Sequence, residues 1–246
     1  MGKRTDDPAE RLMVALDVAT HAEAMAAVEP LKGAVQWFKV GSQLFTACGP
    51  RIIEDIKNAS GAKIFLDLKF HDIPATVALS GKAAAGLGVD MFNMHALGGP
   101  EMMSTAVKEV TAFCASAGKT LPIIIAVTIL TSMTEPELKA AGVGSTPAMM
   151  VLHLARNAKI SGLDGVVASP QEARMIKEIT GDDFLVVTPG VRPAWAAADD
   201  QARIMTPSAA IEEGADYIVV GRPILKAGNP KEAALRIIEE ISSTSV

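Results

Sequence analysis

Apolar residues gather in eight short runs along the chain, at residues 12–18, 35–40, 63–69, 89–95, 121–129, 165–169, 184–188 and 217–220. In the third run Ile64, Leu66 and Leu68 alternate with Phe65, Asp67 and Lys69, the period of two expected of a strand whose side chains point to opposite faces. The run at 121–129 stays almost wholly apolar until Thr128, as a strand covered on both faces should. Helix signals separate the runs. Thr20 suits an N-cap, Ser42 opens a second helix, and Ile73-Pro74 ends the third strand and starts a helix of small residues to about residue 87. Gly98-Gly99 opens the next. A polar stretch at 131–146 reads as loop with a short helix from Glu135, and residues 149–160 read as a longer helix. Ser169-Pro170 and Asn229-Pro230 each look like a cap followed by Pro in the first turn.

Strand and helix therefore alternate eight times, with no hairpin signal between neighbouring runs. That alternation predicts a parallel sheet, and eight units in 246 residues fit a (β/α)8 TIM barrel better than an open doubly wound sheet. No Gly-x-Gly-x-x-Gly follows the first run to favour the dinucleotide-binding alternative. Barrels carry their working residues at the carboxyl ends of the strands, and Asp17, Lys39, Asp67, Lys69, Thr131, Pro189 and Arg222 all fall at or just past those ends.

Composition narrows the picture further. No Pro/Gly/Ser-rich linker divides the chain, so a single domain over 1–246 is expected, with residues 1–10 a polar N-terminal extension rather than a signal peptide. Hydrophobic residues at 49% against 21% charged supply a sizeable core. A net charge of −5 without any Lys/Arg run disfavours nucleic acid as a partner, and no apolar run approaches a membrane span, so a cytoplasmic protein is expected. Cys48 and Cys114 have no metal-ligand spacing and read as idle or buried thiols. Met102, Met103 and the methionines around Met149 read as core or helix packing, and His71 and His95 near the strand ends as structural.

The charges at the strand ends carry the candidate chemistry. An acid and a base two residues apart on an apolar strand are either a surface ion pair or a compensated working pair, and the recurrence of polar residues at other strand ends favours the second. If the barrel closes, Asp17, Lys39, Asp67 and Lys69 converge on one mouth with carboxylates and ammoniums alternating. A lysine so placed is a proton donor rather than a Schiff-base nucleophile, which needs surroundings that favour its neutral form. Gly221-Arg222 follows the eighth run, where barrels often bind phosphate, although a lone Gly-Arg is more often a solvated surface charge. The segment from Thr188 through Arg192 to Gln201 is punctuated by Gly and Pro and long enough to act as a lid.

Leu66-Asp67-Leu68-Lys69-Phe70-His71-Asp72-Ile73-Pro74 resembles the signature of the orotidine 5′-phosphate decarboxylase family in its bacterial form. Ala15-Leu16-Asp17, Phe38-Lys39-Val40-Gly41, Ala126-Val127-Thr128-Ile129-Leu130-Thr131-Ser132, Thr188-Pro189-Gly190-Val191-Arg192-Pro193 and Val220-Gly221-Arg222-Pro223-Ile224 extend the resemblance over nearly the whole chain, in the family's order. The Asp-x-Lys-x-x-Asp core alone is shared with related barrels, some of which use a divalent metal. The Thr131 and Gly-Val-Arg-Pro segments make the resemblance specific.

The resemblance implies a decarboxylation of orotidine 5′-monophosphate to UMP that needs no cofactor and no metal. Lys69 would deliver a proton to C6, Asp67 would lie against the substrate carboxylate, and Lys39 and Asp72 would complete the charged array. Asp17 and Lys39 would contact the ribose and Thr131 the pyrimidine edge. Gln201, Gly221 and Arg222, with Arg192 nearby and Pro189 in the same binding set, would hold the phosphate. It also implies a homodimer in which Asp72, Ile73 and Thr76 reach into the partner's site.

Overall fold

Parallel pairing runs without a break around the sheet of the computed structural model, which describes residues 5–196 and 205–244. The strands are β1 (Leu12–Ala15), β2 (Trp37–Gly41), β3 (Lys63–Phe70), β4 (Met91–His95), β5 (Ile123–Val127), β6 (Gly165–Val167), β7 (Leu185–Pro189) and β8 (Tyr217–Val220). Each pairs with the next, and β8 closes on β1 with Leu12 opposite Ile218 and Val14 opposite Val220. The architecture is a single-domain (β/α)8 barrel. Several strands are shorter than their apolar runs: β1 stops at Ala15 rather than residue 18, and β6 at Val167 rather than 169, although the Leu16 and Ala168 amides still donate to Lys39 and Val187 on the neighbouring strands.

Alternation along the strands separates two cores. Met13, Trp37, Phe65, Met91, Leu185 and Tyr217 fill the barrel interior, while their neighbours Leu12, Phe38, Ile64, Phe92, Val186 and Ile218 pack under the helices. Trp37 and Tyr217 meet edge to face with centroids 5.8 Å apart, plugging the lower barrel. Gly165 is required by close approach, since a Cβ there would sit 2.3 Å from the Leu185 carbonyl oxygen.

The amino-terminal end of the barrel is fastened by one device used three times. Gly88, Gly162 and Gly214 end helices with φ of 74°, 84° and 100°, conformations open to glycine. Two residues later comes an aspartate at the mouth of an even-numbered strand. Asp90, Asp164 and Asp216 accept the backbone N–H of Ile64, Ile124 and Val186 at 2.8, 2.7 and 2.7 Å, tying each strand to the one before it. Lys177 compensates the nearly inaccessible Asp216 at 2.7 Å. Polar groups at this end serve stability, leaving the opposite end for chemistry.

Several helices start at side-chain caps. Thr20 and Glu23 form a capping box, Asn229 accepts from the Glu232 amide at 3.2 Å, and Ser169 with Glu172 boxes a short turn before the helix Ala173–Thr180. The helix expected from residue 149 begins earlier, at Pro147, with Thr146 as its cap. Its buried stripe is Val151, Leu154, Ala155 and Ala158, so Met149 lies off the stripe and is 65% exposed, against the expectation that it packs. Met102 and Met103 are buried as expected. Among the described residues no helix is long and apolar enough to cross a membrane.

Candidate active site

The inward-facing rows that are apolar low in the barrel turn polar toward the carboxyl mouth. Above Trp37 stands Lys39, above Phe65 Asp67, above Met91 Asn93, and past Ala15 Asp17. The charges form a continuous row. Lys39 Nζ lies 3.0 Å from Asp17 Oδ1 and 3.5 Å from Asp67 Oδ2, and Lys69 Nζ lies 2.6 Å from Asp67 Oδ1. The side chains of Lys39 and Asp67 are 11% and 13% exposed, whereas Lys69 is 33% and Asp17 61% exposed. Lys39 is thus embedded between carboxylates, and Lys69 is the ammonium that opens onto the mouth. Gly41 leaves room for this packing, since a Cβ there would lie 3.2 Å from Lys39 Nζ.

Burial alone would raise the pKa of Asp67. The charges of Lys39 and Lys69, with hydrogen bonds from Lys69 and Asn93, overturn that and hold it below the usual carboxylate value. Asp67 is therefore a fixed negative charge at neutral pH, and the row of two carboxylates and two ammoniums balances.

Simple alternation does not account for how Asp67 and Lys69 come together. The β3–β4 register slips between Leu66, opposite Phe92, and Phe70, opposite Met94. Four residues of β3 thus span two of β4. Lys69 sits inside this bulge with φ of 52°, a left-handed conformation that costs a non-glycine residue strain. Asn93 bridges the irregularity: its Oδ1 accepts the Lys69 backbone N–H at 2.8 Å, and its Nδ2 donates to Asp67 Oδ1 at 2.7 Å. Asn93 was not among the residues expected from the sequence. A lone amide at an inward position of an otherwise apolar strand was the available signal.

His71 and His95 stand beside the row with ring centroids 5.3 Å apart. Burial first, then His71 and Lys69, lower the pKa of His95, and its Nδ1 is buried with no hydrogen-bond partner among the described residues.

The other expected residues occupy the rim. Pro189 ends β7. Beyond it Val191 bridges Met205, and the Arg192 amide donates to the Met205 carbonyl at 3.0 Å. Arg192 is buried, at 4% exposure. Gln201 lies outside the described residues. Gly221 follows β8 and approaches β1 closely: a Cβ there would lie 3.3 Å from that of Ala15 and 3.5 Å from Asp17 Oδ2. Arg222 is exposed at the start of a short helical turn. Thr131 is exposed just past β5. Asp72, Ile73 and Thr76 are exposed at the start of the helix Pro74–Gly86, where the Asp72 carboxylate accepts the Ile73 amide at 2.6 Å. No hydrogen bond or salt bridge found among the described residues joins Asp72 to the Asp17–Lys39–Asp67–Lys69 row.

Fold and site together define a barrel enzyme whose mouth carries a fixed acid–base row beside an open glycine–arginine rim. Residues 10–237 match the family described as orotidine 5′-phosphate decarboxylase / HUMPS. Orotidine 5′-phosphate decarboxylases of Geotalea daltonii and Geobacter sulfurreducens are each 50% identical over 236 residues, covering 96% of this chain and 98% of those proteins. The crystal structure of orotidine 5′-phosphate decarboxylase from Lactobacillus acidophilus superposes with a TM-score of 0.85 at 40% identity, covering 95% of this chain and 100% of that one. The chain belongs to the orotidine 5′-phosphate decarboxylase / HUMPS family.

Proposed function

We propose that the protein decarboxylates orotidine 5′-monophosphate to UMP in pyrimidine biosynthesis, without cofactor or metal, and that Lys69 supplies the proton. The observation that carries the reading is the open Lys69 ammonium held 2.6 Å from an Asp67 that stays ionised, in a chain half identical to named decarboxylases. The bond from C6 to the carboxylate breaks, its electron pair stays on C6 as carbon dioxide leaves, and the Lys69 proton forms the new C6–H bond. The neutral amine is then reprotonated from water.

Magnitudes rank the contributions. Asp67 facing a substrate carboxylate at about 4 Å repels it by about 4 kcal/mol at an effective dielectric near 20. Very slow uncatalysed reactions need on the order of 20 kcal/mol removed from the barrier. Ground-state repulsion is therefore the lesser part. The larger part is a preorganised ammonium beside the developing carbanion, which costs no reorganisation at the moment of reaction. Lys39 and Asp17 suit the ribose hydroxyls and Thr131 the pyrimidine edge. Gly221, Arg222, Arg192, Gln201 and Pro189 suit the phosphate end, whose remote binding energy helps assemble the site. Exposure of Ile73 and Leu79 at 65% and 64% supports a second copy covering that helix, with Asp72, Ile73 and Thr76 reaching the neighbouring site. A cytoplasmic location fits this reading.

The test follows the ultraviolet band of orotidine 5′-monophosphate after EDTA treatment of the protein. Loss of the band with UMP formed is expected, and Lys69→Ala should abolish it. Turnover only with added divalent metal would overturn the metal-free mechanism while leaving the barrel intact. Near-normal turnover by Lys69→Ala would refute the proton donor.

A further inference from the structure

We propose that Asn93 is a positioning residue for the reaction, fixing Lys69 and Asp67 relative to each other through the bulge between β3 and β4. The proposal rests on the decarboxylase reading above. Asn93 is fully buried on the inward row of β4, between Met91 and His95. A buried amide must satisfy both of its ends, and only one orientation does so here: Lys69 N–H needs an acceptor and the Asp67 carboxylate needs a donor. The bulge removes Lys69 from the regular ladder, so the Asn93 side chain takes the place of a strand's backbone acceptor. Without it the left-handed turn at Lys69 loses the bond that holds it, and the Lys69 side chain, rooted at that Cα, loses its aim.

Asn93 also decides which Asp67 oxygen is fully engaged. Oδ1 takes both Lys69 Nζ and Asn93 Nδ2, leaving Oδ2 to Lys39 at 3.5 Å. The carboxylate plane is thereby set from three strands at once. Neither Asn93 contact requires substrate, so the arrangement is built before binding. A change at Asn93 should act on the chemical step more than on nucleotide binding, since a small misplacement of a reacting group is costly to rate.

Two variants test this. Asn93→Leu keeps the branched outline of the side chain and removes both bonds; kcat should fall about 10- to 100-fold while KM changes much less. Asn93→Asp keeps the acceptor for Lys69 N–H but turns a carboxylate toward Asp67. Two carboxylates sharing a site raise one pKa strongly. Lys39, Lys69 and Asp17 face the pair from β1–β3, and His71 and His95 from the rim, so all of them shape the titration. Protonation restores a donor to Asp67. The activity of Asn93→Asp relative to the parent should therefore rise as pH falls.

A kcat of Asn93→Leu within about threefold of the parent, or a loss carried by KM alone, would overturn the proposal. So would an Asn93→Asp pH profile parallel to that of the parent. If Asn93→Leu does not fold, the Asn93→Asp profile decides. Carboxyl-carbon NMR of Asp67 gives a reading independent of substrate: in Asn93→Leu, which removes the amide donor, Asp67 should titrate at higher pH than in the parent, and an unchanged titration would overturn the proposal. If the parent fails to turn over orotidine 5′-monophosphate while Asp67 still shifts, the functional reading has failed and the positioning of Asp67 stands.

Discussion

Replacing Lys39 with Met is the most direct test of how the buried charges are held. The ammonium lies 3.5 Å from Asp67 Oδ2, and at an effective dielectric near 20 that separation corresponds to about 5 kcal/mol of attraction. The partner contact to Asp17 counts for little, because the Asp17 side chain is 61% exposed. Asp67 would keep Lys69 and Asn93 on Oδ1 and lose its cation on Oδ2. Leaving a buried charge short of its partner costs roughly 3–5 kcal/mol, and the surviving contacts place the expected loss near the lower end. Asp67 is held below the ordinary carboxylate pKa, so its contribution to stability is present above that value and is lost as pH falls through the folded-state value. In Lys39→Met one opposing cation is gone, burial weighs more, and the folded-state pKa rises. Protonation then relieves the variant before it affects the parent. Urea denaturation should show a gap of about 3 kcal/mol at neutral pH that narrows toward about pH 4. Equal stabilities at neutral pH, or a gap independent of pH, would refute this account of the row.

Two further outcomes test the scaffold. Gly165→Ala places a Cβ 2.3 Å from the Leu185 carbonyl oxygen and 2.6 Å from its Cβ, atoms fixed by the barrel ladder, so a loss of about 1–3 kcal/mol is expected. Calorimetry should find a midpoint lower by roughly 2–4 °C for each kcal/mol, and an unchanged midpoint would refute the close approach. Tyr217 is the single tyrosine of the chain, and burial, followed by the charges of Glu10 and Asp216, pushes its pKa up to about 12. Its stabilising share should be intact below about pH 10 and lost as pH rises toward 12. Tyrosinate absorbance appearing near pH 10 in the folded protein would contradict the plugged lower barrel.

Much of the candidate site was legible in the sequence. Asp17, Lys39, Asp67 and Lys69 announce themselves because charges at the ends of apolar runs are costly unless they meet, and a closed parallel sheet gives them one place to meet. Asn93 was missed because one amide on a strand looks like any buried polar residue until its two partners are known. The bulge was equally hidden: Leu66 to Phe70 reads as uninterrupted alternation, and only pairing with β4 exposes the two extra residues. Met149 misled for a simpler reason. It stands two residues before Val151, more than half a turn round the helix from the buried stripe.

By itself the sequence determined the eight alternations of strand and helix, the caps at Thr20, Ser169 and Asn229 and the charged residues at the strand ends, because these depend on local periodicity and local hydrogen bonding. Tertiary structure decided strand lengths, the slipped register of β3 on β4, the left-handed Lys69 and the use of Asn93 to hold it. Those features depend on which backbone groups find partners across strands, and a partner 24 residues away in the chain leaves no local trace.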